Sequence, residues 1–589
     1  MKLFSDLSLL SAQERAQFSQ ENYLEWKACP LLSAQEKDSL DALCQPQERK
    51  EQVFLSLLSF GTAGIRGKMH LGAGGINRFT VAVATMALAY AVKQTPNGAQ
   101  KGVVIACDSR NHSQEFAQIT ACVLAREGVK VYLFESLRPT PELSFAILHL
   151  GCRAGVNITA SHNTKEYNGY KAYWDNGAQI GPAQAGVIAK KCYDFDLLGA
   201  LEGCDYSSFV QQGKIEIIGR EVDEAFLEKV LSTGIMPAPA KEIAQQLKIV
   251  YTPLHGAGHA LVPELLRRDG FACVSTVAEQ MVLDGDFPTV TKPNPQDRGA
   301  FDMGIALARE IGSELIVATD PDADRAGVAI RESSGEFTVL TGNQIGCLLL
   351  EFIIEALKRN NAMPDNGAVV MSLVSSALAD AICRENGVTL FKVYTGFKYI
   401  GEKIAEFEAT GAYTYLFGFE ESHGYLRGTY SRDKDALGGV MLICEMAAYY
   451  KSLGLTLSDA LAALYNKYGF VSDFTYEMNI TDADFLTKMK HIVEGFRTDP
   501  FASLDGEEVV TVNDYLSQTT RSVATGVISP LPLEKENMVS FVTAGFTSLV
   551  VRPSGTEPKI KFYVSLRAAD AVQAKEKYQR IVDQICSRS

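Results

Sequence analysis

The sequence lacks the long apolar runs, paired cysteines and basic excess that mark several large classes of protein. No apolar run approaches the roughly 18 residues of a membrane span, and the first residues show no signal-peptide pattern. The twelve cysteines are scattered without Cys-x-x-Cys spacing, so neither a disulfide framework nor a zinc site is predicted. We therefore expect a cytoplasmic protein with reduced cysteines and no membrane association.

The charge balance is acidic. The chain has 56 basic and 70 acidic residues, a formal net charge of −14 at pH 7. This argues against broad nucleic-acid binding, although a local basic cleft for a phosphorylated substrate can lie on an acidic protein. With 589 residues and 47% hydrophobic composition, the chain is expected to form about four globular domains.

Strand-like apolar runs alternate with helix-like segments through most of the chain, which predicts α/β domains with largely parallel strand pairing. The first sixty residues predict a charged helical cap. From about Val471 the pattern predicts a separate α+β domain, with helices first and strands near 540–543, 548–552 and 560–565. The predicted domains are 1–238, 239–341, 342–470 and 471–589. The earlier predicted strands are 103–106, 131–134, 156–158, 249–251, 315–318, 369–371 and 413–417.

One hydroxyl stands out at the end of a predicted strand. After an apolar run, the chain reads Thr159-Ala160-Ser161-His162-Asn163. Open α/β sheets bind ligands at the carboxyl ends of their strands. Ser161 is therefore a candidate for a covalently phosphorylated nucleophile.

Three carboxylates at alternate positions follow another predicted strand: Asp320, Asp322 and Asp324. They can converge on one hard cation, for which oxygen ligands suit Mg²⁺. An EF-hand is excluded because Arg325 and Arg331 occupy the positions that require Gly and Glu. A solvated acidic turn and an aspartyl-phosphate hydrolase remain alternatives on local grounds.

Two further loops have the composition of anion sites. The run 60–68 combines glycines with Arg66 and Lys68, but it does not match the Walker A pattern. The run 552–559 lies between two predicted strands and predicts a phosphate cradle. A plain glycine-rich turn and a decorated hairpin are the respective alternatives. The donors and turn residue of the second loop are Arg552, Ser554, Gly555 and Thr556.

A third loop suits sugar hydroxyls, which need hydrogen-bond acceptors. It carries Glu420, Glu421 and Ser422 after the predicted strand 413–417. A solvated loop is the alternative. The nearby 432–435 run, Arg-Asp-Lys-Asp, predicts a charged turn, and Lys398 opens a helix where it could meet an anion.

Together and in this order, from Gly61 to Tyr563, these loops resemble the α-D-phosphohexomutase superfamily of phosphoglucomutases and phosphomannomutases. The length and the loop sequences look most like its longer branch, which includes phosphopentomutases and sugar-bisphosphate synthases. The resemblance implies three similar α/β domains with mixed sheets and a C-terminal α+β domain, arranged around a central cleft.

The resemblance also implies roles for individual residues. Ser161 would be the phosphoserine and would bind Mg²⁺ together with the three Asp residues. Lys171 would be the general acid/base, a role that requires a depressed pKa, which the nearby cation could supply. Arg66 and Arg325 would bind the transferring phosphoryl group. The implied substrate-binding residues are Thr62, His162, Lys398, Glu420, Ser422, Arg552, Ser554, Gly555 and Thr556.

The implied activity is interconversion of a sugar 1-phosphate and a sugar 6-phosphate, with glucose the first candidate. A sugar 1,6-bisphosphate would be the intermediate and primer, and a monomer or small homo-oligomer is expected. Alternatives are a phosphopentomutase, a phosphomannomutase and a sugar-1,6-bisphosphate synthase. A phosphatase with Asp320 or Asp322 as nucleophile, and a non-catalytic phosphosugar sensor, are rivals of other classes.

Overall fold

The computed structural model describes residues 1–62, 64–480, 485–554 and 558–588. Its contacts divide the chain into two compact units. The first contains Met1–Leu340, Gly401–Ala409 and Gly424–Ala448, and the second contains Thr341–Ile400, Thr410–His423 and Tyr449–Ser589. Within the described ranges, no single helix is long and apolar enough to span a membrane. Helices Ala436–Ser452 and Leu457–Tyr468 pass that test only together, as a bent pair.

The chain begins with short helices that cover the first domain. Ser11 and Ser33 start two of them with capping boxes, which satisfy the first backbone N–H groups. Trp26 and Phe54 are fully buried in the core of the first domain, with Trp26 packed edge-on against Phe79. The expected charged cap is therefore also part of that core. A 3₁₀ turn at Leu7–Leu9 precedes α1 (Ala12–Ala28), α2 (Ala34–Ala42) and α3 (Gln47–Leu55).

The first sheet has the order β1-β5-β4-β2-β3-β6. Strands β4, β2, β3 and β6 pair in parallel, while β5 is antiparallel to both of its neighbours, β4 and β1. Its elements are β1 (Ile65–Lys68), α4 (Arg78–Lys93), α5 (Gly98–Lys101), β2 (Val103–Cys107), α6 (Ser113–Arg126), β3 (Val131–Phe134), α7 (Thr140–Leu150), β4 (Ala154–Ile158), β5 (Tyr167–Trp174), α8 (Pro182–Cys192), α9 (Tyr206–Gln211) and β6 (Ile215–Ile218). Cys107 pairs with Ile158 at the carboxyl ends of β2 and β4, so the loops that follow these strands begin side by side.

Helices α10 (Arg220–Leu231) and α11 (Ala238–Ala244) lead to the second sheet, which has the order β11-β10-β9-β7-β8. Thr319 pairs with Ala326 across the antiparallel β9–β10 hairpin, so the run 320–325 is its connecting loop. The elements are β7 (Ile249–Thr252), α12 (Gly258–Arg268), β8 (Val274–Thr276), α13 (Ala278–Met281), a 3₁₀ helix (Arg298–Phe301), α14 (Asp302–Ile311), β9 (Leu315–Thr319), β10 (Ala326–Arg331) and β11 (Phe337–Val339).

The next part of the chain contains a parallel arrangement of β13, β12 and β14. All six residues of the central strand β12 are buried, as expected for a strand covered on both faces. The elements here are α15 (Gly342–Arg359), β12 (Gly367–Ser372), α16 (Ala377–Asn386), β13 (Thr389–Val393), α17 (Phe397–Thr410), β14 (Thr414–Glu420), β15 (Gly424–Leu426), α18 (Ala436–Ser452) and α19 (Leu457–Tyr468).

The C-terminal part forms an antiparallel sheet with the order β16-β23-β22-β21-β18-β19-β20, and β17 pairs with β18. Helices α20 and α21 pack against this sheet, and Phe496, Phe541 and Phe562 contribute to its core. The elements are β16 (Val471–Asn479), α20 (Phe485–Thr498), β17 (Ser503–Leu504), β18 (Glu507–Asp514), β19 (Thr519–Ser522), β20 (Ile528–Pro530), β21 (Val539–Thr543), β22 (Ser548–Pro553), β23 (Lys559–Arg567) and α21 (Ala571–Cys586).

The expected fold class, three α/β domains and a C-terminal α+β domain, is confirmed. The expectation that the last domain begins with helices is wrong, because β16 comes first. Strand β5 was not predicted either, since Asn168 and Lys171 break its apolar pattern. Both side chains are nevertheless buried, and Asn168 Nδ2 donates to Ser113 Oγ at 3.0 Å. The proposed domain boundaries at 238, 341 and 470 stay predictions.

Candidate active site

Ser161 lies in a tight turn directly after β4. Its φ of +53° is left-handed, and its backbone N–H donates to Thr159 Oγ1 at 2.8 Å. The side chain is only 2% exposed. Ser161 Oγ donates to Asp320 Oδ2 at 2.8 Å and lies 3.1 Å from His162 Nδ1. The predicted nucleophile and the first predicted metal ligand are therefore in direct contact.

The three Asp residues converge as the sequence predicted. One carboxylate oxygen from each of Asp320, Asp322 and Asp324 lies within 4.8 Å of the others, and all three residues are buried. Asp320 Oδ1 accepts the backbone N–H groups of Asp324 and Arg325 at 3.1 and 3.0 Å. In contrast, Asp322 Oδ1 and Asp324 Oδ1 are buried and have no hydrogen-bond partner among the residues that the structure describes. Buried orphan oxygens are rare, and an all-oxygen set of this kind fits a hard divalent cation.

Basic side chains surround this carboxylate cluster. Lys171 Nζ lies 2.6 Å from Asp322 Oδ2 and 3.2 Å from Asp324 Oδ2. Lys434 Nζ lies 3.1 Å from Asp324 Oδ2, and Arg325 Nε lies 3.8 Å from Asp324 Oδ1. The two lysines thus contact the Oδ2 atoms of Asp322 and Asp324, whereas Arg325 approaches Asp324 Oδ1 beyond hydrogen-bond distance.

The protein groups alone perturb the pKa values of the cluster. Burial, and then repulsion from Asp324 and Asp322, raise the pKa of Asp320 well above its usual value. Burial lowers the pKa of Lys171, but the Asp322 and Asp324 carboxylates outweigh burial and raise it overall. The expected depression of the Lys171 pKa by a bound cation stays a prediction, because these directions come from the protein groups alone.

Lys434 was missed as a site residue, because the run 432–435 was interpreted as a charged turn. The side chains of all four residues in the run 432–435 are buried. Asp433 Oδ2 accepts from Tyr173 Oη at 2.8 Å and from Gln179 Nε2 at 3.1 Å. The sequence did contain a signal for this burial. The four charged residues directly precede the apolar helix α18, and residues next to a buried helix are rarely fully exposed to solvent.

The support of the Ser161 turn was also missed. Arg110, in the loop after β2, donates through its two terminal nitrogens to four backbone oxygens of the loop after β4. The forked guanidinium suits such multiple contacts. The accepting carbonyls belong to Ser161, Asn163, Thr164 and Tyr167.

Asp108 anchors Arg110 in turn. Its carboxylate lies 3.2 Å from Arg110 Nε, and both side chains are fully buried. It also accepts from Thr159 Oγ1 at 2.5 Å and from Ser113 Oγ at 2.8 Å. The sequence signal for Asp108 and Arg110 was the polar run that follows the buried strand β2. The same pattern, a polar run after an apolar strand, identified Ser161.

The glycine-rich loop reaches the same turn from β1. Arg66 Nη1 donates to Asn163 Oδ1 at 3.1 Å. Just before it, Gly61 and Gly64 exchange two backbone hydrogen bonds of 2.9 Å in a turn that includes Thr62. Gly64 has a φ of +78°, and a Cβ there would lie 1.9 Å from Tyr170 O, so a glycine is required. Arg66 is thus placed beside the Ser161 loop.

The second unit carries the predicted sugar-binding loop. Glu420 ends β14 and is buried. The Glu421 carboxylate is hydrogen-bonded within this unit, because it accepts from Ser372 Oγ at 2.6 Å and from Ser422 Oγ at 3.1 Å. A Cβ at Gly342, the first residue of α15, would lie 2.1 Å from Glu421 O. The start of α15 therefore packs closely against this loop and fixes its backbone.

The predicted phosphate cradle follows β22 in the same unit. Ser554 N–H donates to Lys559 O at 2.9 Å and closes the β22–β23 hairpin. Burial raises the pKa of Tyr563 to about 12, with Glu421 acting in the same direction and Arg552 opposing it. Arg552 and the sugar-loop residue Glu421 therefore both lie near Tyr563, which sequence reasoning did not single out. Gly555 and Thr556 lie outside the described residues.

Lys398 is the second residue of α17. Its side chain is half-buried, and Nζ lies 4.6 Å from the centre of the Tyr399 ring. The expectation that it meets an anion stays a prediction.

Comparison with known proteins agrees with the fold and with the site described above. Three family models match: phosphoglucomutase/phosphomannomutase alpha/beta/alpha domain I at residues 57–194, domain II at 224–335 and domain III at 341–468. The phosphoglucomutase of Staphylococcus epidermidis is 38% identical over 526 residues, which cover 89% of this chain and 93% of the relative. That of Staphylococcus aureus strain MRSA252 is 36% identical over 541 residues, 91% and 95% of the two chains.

Solved structures show the same fold. A phosphoglucomutase/phosphomannomutase family protein from Burkholderia thailandensis has a TM-score of 0.63 at 20% identity and covers 90% of this chain and 98% of its own. Parafusin, a phosphoglucomutase from Paramecium, has a TM-score of 0.65 at 17% identity, with coverages of 90% and 93%. The fold and the buried site define a phosphohexomutase-type enzyme, an isomerase. The chain belongs to the phosphoglucomutase/phosphomannomutase family.

The first prediction concerns the Arg110 clamp. Arg110→Lys keeps the positive charge but cannot bond four carbonyls, so the Ser161 turn should shift and kcat should fall about 10- to 100-fold. Steady-state kinetics with the sugar phosphate would measure this. Arg153→Lys is the matched control, because Arg153 donates to Pro96 O outside the site. An Arg110→Lys enzyme with the wild-type kcat would contradict the positioning role.

The second prediction concerns pH and Asp435. Burial raises the pKa of this carboxyl to about 6, although Oδ1 accepts the Leu437 N–H at 2.7 Å. Because the folded-state pKa is raised, its stabilising contribution is present at low pH and is lost as pH rises through about 6. Between pH 5 and 7.5 the free energy of unfolding of the wild type should fall by about 1 kcal/mol, and that of Asp435→Asn should not show this decrease. Urea unfolding of both proteins at the two pH values measures this difference. An equal decrease in the unfolding free energy of the two proteins would refute the prediction.

Proposed function

We propose that the protein interconverts glucose 1-phosphate and glucose 6-phosphate through a phosphoserine at Ser161 and a glucose 1,6-bisphosphate intermediate. The observation that carries this proposal is the 2.8 Å contact between Ser161 Oγ and Asp320 in a buried three-carboxylate cluster. Glucose is proposed as the sugar because the relatives at 36–38% identity carry the name phosphoglucomutase.

The reaction consists of two phosphoryl transfers. Phosphorylated Ser161 gives its phosphoryl group to the free hydroxyl of the sugar monophosphate, so the Ser161 Oγ–P bond breaks and a new O–P bond forms. The resulting bisphosphate turns round and returns its other phosphoryl group to Ser161. Positioning and charge stabilisation supply most of the catalysis in such transfers. Arg66 and Arg325 are proposed to stabilise charge on the phosphoryl oxygens.

Asp320, Asp322 and Asp324 are proposed to hold Mg²⁺, with an oxygen of the phosphorylated Ser161 as a further ligand. The two orphan carboxylate oxygens support this assignment. The ion would offset the negative charge of the phosphoryl group. The protein contributes a buried set of oxygen ligands that is arranged before the ion binds. Thr140 and Lys171 contact Asp322 Oδ2, and Lys171 and Lys434 contact Asp324 Oδ2.

Lys171 is proposed to relay the proton. The first transfer moves one proton in net terms from the attacking sugar hydroxyl to the Ser161 oxygen that is released. The second transfer moves one proton from the attacking Ser161 hydroxyl to the sugar oxygen that is released. Lys171 Nζ lies 2.6 Å from Asp322 Oδ2, and Asp322 and Asp324 raise its pKa. In the protonated form it can give a proton to the released oxygen and take up the proton of the attacking hydroxyl. Burial and the Arg325 and Arg66 charges lower the pKa of His162, so the ring beside Ser161 is neutral and is assigned to substrate binding.

The remaining roles concern the rest of the substrate. Glu420 and Ser422 are proposed to contact sugar hydroxyls, with Glu421 shaping their loop. Arg552 and Ser554, together with Gly555 and Thr556, are proposed to hold the phosphate that is not reacting. Thr62, His162 and Lys398 are proposed as further substrate contacts.

The rival phosphatase requires Asp320 or Asp322 as the nucleophile. Both are poorly placed for this role, because Asp320 accepts two backbone N–H groups and the Ser161 hydroxyl. Asp322 Oδ2 accepts from Thr140 Oγ1 at 2.8 Å and from Lys171. A phosphatase would also leave Ser161 without a role.

The third prediction is that Ser161→Ala lowers mutase turnover at least about 1,000-fold, because no residue replaces the phosphoryl acceptor. The assay uses glucose 1-phosphate, Mg²⁺ and a trace of glucose 1,6-bisphosphate, with mannose 1-phosphate and ribose 1-phosphate in parallel. Ser109→Ala is the matched control, because the Ser109 hydroxyl has no hydrogen-bond partner within the described part of the chain.

The outcomes of this assay separate the alternatives. Full turnover by Ser161→Ala would refute the phosphoserine mechanism. A higher kcat/KM for ribose 1-phosphate or mannose 1-phosphate would make the wild-type protein a phosphopentomutase or a phosphomannomutase. Net accumulation of bisphosphate from an activated donor would indicate a bisphosphate synthase, and binding without turnover would indicate a sensor.

The fourth prediction concerns the metal site. Asp324→Asn removes one negative ligand and leaves Lys171 and Lys434 short of a counter-charge, so the Mg²⁺ concentration for half-maximal activity should rise more than about 10-fold. Mg²⁺ titration of activity measures this. Asp302→Asn, on an exposed helix position, is the control. An unchanged Mg²⁺ requirement in Asp324→Asn would contradict the assignment.

A further inference from the structure

Asn157 is a polar residue inside the buried strand β4, which reads Ala-Gly-Val-Asn-Ile. Its side chain is fully buried, and burial of an amide is costly unless the amide is hydrogen-bonded. Asn157 Nδ2 donates to Thr140 Oγ1 at 2.6 Å. Asn157 Oδ1 has no hydrogen-bond partner in the described ranges. The contact of the amide nitrogen with Thr140 is therefore the feature that this buried side chain contributes.

Thr140, the first residue of α7, holds the proposed metal ligand Asp322 at two points. The Thr140 backbone N–H donates to Asp322 O at 2.8 Å, and Thr140 Oγ1 donates to Asp322 Oδ2 at 2.8 Å. Thr140 is fully buried. Pro139 and Pro141 flank it, and proline restricts the backbone on both sides. The start of α7 thus fixes both the main chain and the side chain of Asp322.

The direction of these hydrogen bonds follows from the chemistry of the three groups. An ionised carboxylate only accepts hydrogen bonds, so the single hydroxyl proton of Thr140 points to Asp322 Oδ2. The Thr140 oxygen is then the acceptor for Asn157, which must present its NH₂ group. Asn157 therefore fixes the rotation of the Thr140 hydroxyl, and the hydroxyl in turn fixes the Asp322 carboxylate.

Asp322 Oδ2 receives a second contact from the strand next to β4. Asn157 pairs directly with Lys171 across the antiparallel β4–β5 ladder, and residues paired in this way project from the same face of a sheet. Lys171 Nζ lies 2.6 Å from Asp322 Oδ2. One cross-strand pair therefore engages Oδ2 twice, directly through Lys171 and indirectly through Thr140. Asp322 Oδ1 is left without a hydrogen-bond partner among the described residues.

We propose that Asn157 and Thr140 are positioning residues for the metal site. Asn157 orients the Thr140 hydroxyl, and Thr140 holds Asp322 Oδ2 so that Oδ1 is available to the cation. The inference rests on the proposed cation site of Asp320, Asp322 and Asp324. Hydrogen-bond partners of metal ligands raise metal affinity because they orient the ligand before the ion binds. Both residues act through Asp322 and not on the reacting atoms.

The test measures Mn²⁺ binding to the purified full-length protein without substrate, from the electron paramagnetic resonance signal of the free ion. Thr140→Val removes the hydroxyl and keeps the backbone contact, so the Kd for Mn²⁺ should rise about 10-fold. Thr140→Ser keeps a hydroxyl and should restore binding to within about 3-fold of the wild type. Asn157→Leu should weaken binding in the wild type but not in Thr140→Val, because Asn157 acts only through the Thr140 hydroxyl.

Thr120→Val is the matched control, because Thr120 is fully buried and its hydroxyl has no hydrogen-bond partner in the part of the chain that is described. Its Kd for Mn²⁺ should equal that of the wild type. An unchanged Kd in Thr140→Val would overturn the positioning role and leave the proposed metal site intact. A loss in Thr120→Val or Thr140→Ser as large as that in Thr140→Val would also overturn it, by showing a general packing effect.

Two further outcomes separate this inference from the proposed function. A wild-type protein that binds no Mn²⁺ would overturn the proposed metal site together with the positioning role. If Thr140→Val does not fold, Asn157→Leu alone decides, and an unchanged Kd in that variant would overturn the inference.

Discussion

Three carboxylates buried within a few ångströms of one another are the constraint on which the first unit depends. One oxygen of each carboxylate lies within 4.8 Å of the others, and two like charges repel by about 3 kcal/mol at that distance, and by more when closer, at an effective dielectric constant of about 20. The β9–β10 hairpin concentrates these charges, so other segments must supply the balancing cations. Lys171 comes from β5 and Lys434 from the run before α18, and both ammonium groups lie within 3.2 Å of Asp324.

The same constraint explains the placement of Ser161. Its hydroxyl reaches Asp320 only because the turn after β4 is held in a left-handed conformation, and that turn is held by Arg110 through four carbonyls. Asp108 fixes Arg110 and also bonds the first residue of α6. Adjacent parallel strands thus deliver the nucleophile and its support at one edge of the sheet, as open α/β sheets generally do for ligand sites.

Sequence reasoning located what lies at the ends of apolar strands. Ser161 and the Asp320 loop follow β4 and β9, where an abrupt change from apolar to polar residues is visible without a structure. It missed Lys434 and Arg110, because their importance comes from burial against partners far away in the chain. It missed β5 because Asn168 and Lys171 look like solvent-exposed residues until their buried partners are known.

The central claim is that Ser161 carries the phosphoryl group, and the most direct test is to locate it. The purified protein would be incubated with glucose 1,6-bisphosphate and Mg²⁺, quenched, digested and analysed by mass spectrometry. The account predicts one phosphoryl group on Ser161, which is stable to hydroxylamine and is transferred when the protein is mixed with glucose 1-phosphate. A hydroxylamine-labile phosphoryl group on Asp320 or Asp322, with Ser161 unmodified, would contradict it.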